Sequence, residues 1–236
     1  MNLKSKKDIV FLTLAGFFVC NAIIAEMIGG KLINFFGIFT QSVGIILWPV
    51  VFVITDLVNE YYGKDGVKKL SLITVGLISY TFIILFICIN LTATNFSPVS
   101  DENFHKVFGQ SMYIIVGSIA AFLISQLVDS SVFWILRNRT GHKMLWLRST
   151  GSTVISQLVD TFVVQFVGFV VPGKWTMGEF TINASWGYFF KLLVALAMIP
   201  LIYLGHYWID RYIGEKLSHD TIKHSAEASL EHKVDD

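Results

Sequence analysis

Charge is what this sequence is short of. Its 236 residues carry 18 lysines and arginines against 17 aspartates and glutamates, 15% of the chain, and the formal net charge is +1. A soluble domain is about a quarter charged. With so little net charge, no bulk field recruits nucleic acid. No basic patch with interleaved aromatics is present, nor a glycine-rich phosphate loop, so the chain itself is not expected to hydrolyse ATP. Cysteine is equally scarce. Cys20 and Cys88 both sit in apolar runs, which excludes a disulfide framework and a zinc site. No metal and no cofactor is therefore expected. The first apolar run lacks a small-residue cleavage site and is too long for a signal-peptide core, so it reads as retained.

What the chain has instead is hydrophobic length. Apolar residues make up 54% of it. A helix needs about 20 apolar residues to cross the hydrocarbon. Six segments qualify: Ile9–Ile28, Val43–Tyr62, Leu70–Leu91, Met112–Leu136, Thr150–Val171 and Trp186–Ile209. The third carries no charge. The second is the poorest, with Pro49 inside it and an uncharged part that ends at Thr55. It reads as a broken helix, or as one preceded by a re-entrant stretch from Lys31 to Gly44. Residues 1–213 then form a single six-helix transmembrane domain. Residues 214–236 read as a polar, disordered tail.

Basic residues set the orientation. Fourteen lie before the first span, after the sixth, or in the second–third and fourth–fifth loops; only Lys31, Lys106 and Lys174 lie in the other three loops. By the positive-inside rule both termini are cytoplasmic. Trp175 and Trp186 then fall at the outer interface, and Trp146 and Trp208 at the inner one.

A short echo runs through the spans. ISQLVD occurs at Ile124–Asp129 and again at Ile155–Asp160, with a looser copy, ITDLVN, at Ile54–Asn59. Chance in a biased alphabet would give the same pattern. Polar groups at membrane depth are costly, however, and call for a reason. Gln126 and Asp129 share one helix face, as do Gln157 and Asp160. Amide–acid pairs could thus stand on opposing walls of one cavity.

Depth follows from a rise of about 1.5 Å per residue. Asp160, the eleventh residue of its span, lies about 15 Å in. A charge there needs a partner, a proton or water, and a cavity-facing acid is a substrate or proton site. Lys191 lies about 8 Å from the outer edge. It could snorkel outward or turn toward Asp160. Asp56, Asn59 and Glu60 gather near the cytoplasmic end of the second span, where headgroups could also hold them. Glu26, near the outer end of the first span, is open to the same two readings.

These motifs together resemble the queuosine precursor transporter family, also described as a vitamin-uptake-type family, over about Ile9 to Ile213. The matching residues are Trp48–Pro49 with Thr55–Gly63 (TDLVNEYYG), Ser125–Asp129 with Phe133, Arg148–Ser149 with Ser152–Thr153 and Gln157–Thr161, and Phe190–Lys191 with Pro200. Gln165 departs from the pattern, which leads us to expect an apolar residue there. The resemblance implies an all-α membrane fold similar to the substrate-binding components of energy-coupling-factor transporters, in a cell inner membrane. It implies uptake of 7-cyano-7-deazaguanine, 7-aminomethyl-7-deazaguanine or queuine for tRNA modification. Asp160, Gln157, Asp129, Gln126, Lys191, Asp56, Asn59, Glu60, Arg148 and Phe190 are the expected site residues.

The chemistry is compatible with that substrate. A carboxylate accepts from the two adjacent donors of a guanine-like edge, an amide answers its carbonyl, and aromatic rings such as Phe162, Phe189 and Phe190 supply stacking faces. Two other classes remain. The chain could be the binding subunit of a multi-component importer with a separate ATPase. An intramembrane aspartyl protease would need a GxGD sequence, and this chain has LVD in its place. No enzymatic activity is expected, and a homodimer is compatible with a carrier of this size.

Overall fold

The structure is a computed structural model and describes residues 5–109, 112–140 and 144–231. Lys4, Lys143 and Lys233, which contribute to the charge count above, lie outside the described residues, as does the end of the polar tail. The elements are α1 (Lys6–Met27), a β-hairpin of β1 (Leu32–Phe35) and β2 (Phe39–Ser42), one 3₁₀ turn (Val43–Ile46), α2 (Trp48–Ile89), α3 (Asp101–Phe108), α4 (Met112–Thr140), α5 (Leu145–Gln165) with a π-helical extension (Phe166–Val170), α6 (Met177–Ile213) and α7 (Glu215–Glu231). Five helical stretches are long and apolar enough to cross a membrane: those of α1, α2, α4, α5 with its extension, and α6. The architecture is that of an all-α membrane protein.

Burial runs inside out, as the bilayer requires. Phe17, Phe86 and Leu193 are exposed, whereas Asn59, Gln126 and Ser156 are each 0% exposed. In a water-soluble domain such large exposed apolar faces would be a liability. Facing lipid, they are the solvent-compatible surface, and the polar groups must find partners within the bundle.

The second and third apolar segments are one helical run, but not a straight one. At 42 residues it would extend about 63 Å, twice the hydrocarbon thickness. Gly63 breaks it with φ 72° and ψ −176°, a conformation open to glycine and strained for L side chains. The chain doubles back there. A Cβ at Gly66 would lie 3.6 Å from Val58 Cγ1, whereas eight residues of straight helix rise about 12 Å. Val58, Val67, Leu70 and Ile78 accordingly share one apolar cluster with Phe18 and Ala22 of α1.

The stretch before α2, a candidate re-entrant segment, is the β-hairpin. Its turn places Phe36 (φ 55°) and Gly37 (φ 74°) in the left-handed region, and Ile38 N–H donates to Phe35 O at 3.0 Å. Two successive positive φ values match the twist of paired strands. The hairpin docks on α6: Asn183 Oδ1 accepts from the Thr40 amide at 2.9 Å, and Gln41 Nε2 donates to Asn183 O at 3.2 Å. Phe35 and Phe39 pack on Phe190, with ring centroids 4.9 and 6.0 Å apart. Helix α6 starts nine residues before the expected span, closed by a capping box between Thr176 and Glu179.

The tail differs most from its sequence expectation. Residues 215–231 are helical rather than disordered, and Ser218 and Thr221 are buried. Two hydrogen bonds anchor the helix: Ser218 Oγ donates to Asp210 Oδ1 at 2.5 Å, and Arg137 Nη2 donates to Ile222 O at 3.0 Å. Composition shows the polarity of this segment but not these tertiary partners.

Candidate functional site

The polar residues of the bundle form a seam where α2, α4 and α5 meet, and two cavities open beside it. The expected site residues divide between seam and cavities.

Much of the seam is held by internal partners, while Asn59 Nδ2 and Gln126 Nε2 find no acceptor among the described residues. Thr55 Oγ1 donates to Gln126 Oε1 at 3.2 Å, Ser130 Oγ to Asn59 Oδ1 at 2.9 Å, and Ser156 Oγ to Asp129 Oδ1 at 2.9 Å. Glu60 sits between two guanidiniums. Arg148 Nη2 lies 2.7 Å from its Oε1, and Arg137 Nη1 lies 3.6 Å from its Oε2. All three side chains are under 5% exposed. Arg137 entered the sequence argument only as a loop charge. Its burial arises because α4 continues to Thr140, past the expected end of the span, and folds this arginine in against Glu60.

The first cavity lies among α2, α5 and α6. Of the expected residues Asp56, Gln157 and Lys191 line it, joined by Trp48, Phe52, Ser149 and Thr153. Asp56 Oδ2 accepts from Ser149 Oγ. Its Oδ1 is buried with no hydrogen-bond partner among the described residues, and so are both polar atoms of Gln157. Buried polar groups are normally paired, and each exception needs an explanation. Here an open acceptor and an open amide line one chamber, beside the indole and phenyl rings of Trp48 and Phe52.

The second cavity lies under the hairpin. Asp160 and Lys191 line it with Glu26, Gln41, Ser118, Gln165 and Trp175. Lys191 Nζ donates to Asp160 Oδ2 at 2.8 Å, and the two side chains are 12% and 14% exposed. Of the two sequence readings of Lys191, the inward turn is the one observed. Lys191 faces both cavities.

The echo is therefore not symmetric. Asp129 and Asp160 hydrogen-bond different groups, Ser156 and Lys191. Only Gln157 and Asp160 from the second copy reach a cavity, while Gln126 and Asp129 are spent on the seam. Phe190 belongs to the hairpin contact. Ser149, Thr153, Trp48, Ser118 and Gln41 were not singled out as site residues. Ser149 and Thr153 had a signal, since each lies four or eight residues before Gln157 on one face of α5. Gln41 had none, because its place depends on the hairpin.

The ion pair makes a direct prediction. Lys191→Ala and Asp160→Asn each leave one charge poorly matched in a low-dielectric site, so each lowers membrane abundance. The double variant is expected to lose less than the sum of the two single losses, because no lone charge remains buried. Abundance of tagged protein in washed membranes measures it, and strictly additive losses would contradict the pair.

Comparison with known proteins adds an independent line. A family described as "Putative vitamin uptake transporter" matches residues 42–205. A "Probable queuosine precursor transporter" of Bacillus subtilis is 30% identical over 178 residues, 73% of this chain and 74% of that protein. A protein of the same description from Haemophilus influenzae is 25% identical over 169 residues, 70% of this chain and 68% of its own length. No solved structure matches the chain.

Proposed function

The chain belongs to the family described as "Putative vitamin uptake transporter", and from that premise we propose that it carries queuosine precursors, the deazaguanine bases, across a membrane. The observation that carries the substrate reading is the first cavity. Asp56 Oδ1 is an open acceptor for the ring N–H and exocyclic amine of a guanine-like edge. Gln157 supplies the complementary amide, whose NH₂ donates to the carbonyl. Trp48 and Phe52 supply faces on which the bicycle stacks. Ser149 holds the Asp56 carboxylate in place from behind.

Asp160 and Lys191 then act on the approach to the chamber rather than at the base itself. Asn59, Glu60, Gln126, Asp129 and Arg148 fix the helices that present Asp56 and Gln157. No reaction step is assigned to any residue; Asp160, held by Lys191, is unsuited to share a proton with a second carboxyl as an aspartyl dyad does.

The reversal at Gly63 completes six crossings in this reading, with both termini in the cytoplasm and the hairpin on the outer side, as the basic residues require. The membrane is the cell inner membrane. The proposal includes kinship in fold with the substrate-binding components of energy-coupling-factor importers.

The experiment uses a bacterium that can neither make nor import deazaguanines. Expression of this chain is expected to restore queuosine in its target tRNAs at low external precursor, read as a gel shift. Absence of rescue by any of the three bases, with the protein present in the membrane, would refute the substrate assignment.

A further inference from the structure

The base site at Asp56 and Gln157 does not account for the second cavity. That cavity is the roomier of the two and lies under the hairpin, on the side read above as the outer one. Ile45, Trp48 and Lys191 line both, so the two chambers adjoin. Its charged groups already have partners in the wall. Lys191 Nζ donates to Asp160 Oδ2 at 2.8 Å, and Glu26 Oε2 accepts from Ser118 Oγ at 2.7 Å. An arriving ion would have to compete with these contacts. An uncharged ligand would leave them in place.

The amide of Gln165 is different. This side chain is 5% exposed and lines the cavity, and its Oε1 is buried with no hydrogen-bond partner among the described residues. Buried polar atoms are normally paired, so an open acceptor in a cavity wall marks a place for a donor. Helix α5 widens into its π-helical extension directly after Gln165, and that turn carries Phe169 to the same cavity. Wide turns of this kind recur at functional sites. Phe169 stacks on Trp175, with 4.3 Å between centroids and 15° between planes, and both rings line the chamber.

A primary amide presents a carbonyl beside an NH₂ group. A cyclic lactam presents an N–H beside a carbonyl, and the two match in a pair of hydrogen bonds. The deazaguanine ring carries such a lactam, and its flat bicycle stacks on aromatic side chains.

We propose that the hairpin-side cavity is a second binding site for the same base, occupied on the way to Asp56. Gln165 Oε1 accepts from the ring N–H, the NH₂ of the same amide donates to the carbonyl, and the base stacks on the Phe169–Trp175 pair. The two sites take separate molecules, and neither requires Lys191 to leave Asp160. The inference rests on the deazaguanine reading above and extends it from one site to two.

Equilibrium dialysis of 7-cyano-7-deazaguanine against the full-length protein in lipid nanodiscs counts the sites. Wild type is expected to bind two bases at saturation, and Gln165→Leu and Asp56→Asn one each. Gln165→Leu changes no charge. Trp175→Ala removes the same site from the loop after α5, so it serves should Gln165→Leu fail to fold. A wild-type stoichiometry of one, or a stoichiometry of two kept by the folded variant of the hairpin-side cavity, overturns the inference and leaves the deazaguanine reading standing. Binding of no base by wild type overturns both.

Discussion

Replacing Glu60 by alanine is expected to remove most of the protein from the membrane. Its carboxylate lies between the guanidiniums of Arg148, at 2.7 Å, and Arg137, at 3.6 Å. All three are buried, and Arg137 also donates to the Glu60 carbonyl at 3.3 Å. Taking the carboxylate away leaves two like charges side by side in a low dielectric. Breaking a buried ion pair from one side costs about 3–5 kcal/mol, a large part of what holds a domain folded. Glu60→Gln keeps the shape and one acceptor and is expected to fall between wild type and alanine. Quantitative blotting of washed membranes, with a thermal aggregation midpoint in detergent, reads both. Wild-type abundance and midpoint for Glu60→Ala would show that this cluster is not a structural anchor.

Asp56→Asn is expected to have the opposite profile, with near-normal abundance and lost uptake. The amide keeps the size of the carboxylate, and Ser149 can hydrogen-bond to either. Facing the cavity, however, an acceptor is replaced in part by an NH₂ donor that meets the donors of the base. Losing a hydrogen bond to a charged group costs about 1.5–3 kcal/mol, a tenfold or larger loss of affinity. Uptake of labelled base at limiting concentration is therefore expected to fall at least tenfold. Asp129→Asn makes the informative comparison, since Asp129 lines neither cavity and bonds Ser156. Its uptake per molecule in the membrane is expected to fall less. Equal losses in the two variants would move the site from the cavity to the seam.

Much of this was legible from residue types, for a physical reason. A charge or amide inside an apolar run is costly, so each one in α2, α4, α5 and α6 marks a partner, a cavity or a site. That reasoning reached Asp56, Gln157, Asp160 and Lys191, and it also reached Asp129, Gln126, Asn59, Glu60 and Arg148. It cannot separate the two groups, because seam and cavity require the same residue types. Their surroundings tell them apart: Asp129 has Ser156 within 2.9 Å, whereas Gln157 lines the first cavity and neither of its polar atoms has a partner among the described residues. The hairpin was hidden because its strands are four residues each and its stability comes from Asn183 and Phe190 of α6. The docked helix α7 was hidden likewise, since its anchors are Asp210 and Arg137 and nothing in its own composition names them.

One element meets several of the features described above. Helix α6 meets the hairpin at Asn183, the ion pair at Lys191, α2 at Gly205, where an added Cβ would lie 2.8 Å from Leu57, and α7 at Asp210. Its 37 residues rise about 55 Å, more than a bilayer's hydrocarbon. It is therefore one piece of backbone held near its start by the hairpin, at Lys191 by Asp160 and near its end by α7. Pro200, between the last two of these contacts, removes one N–H donor from the helix.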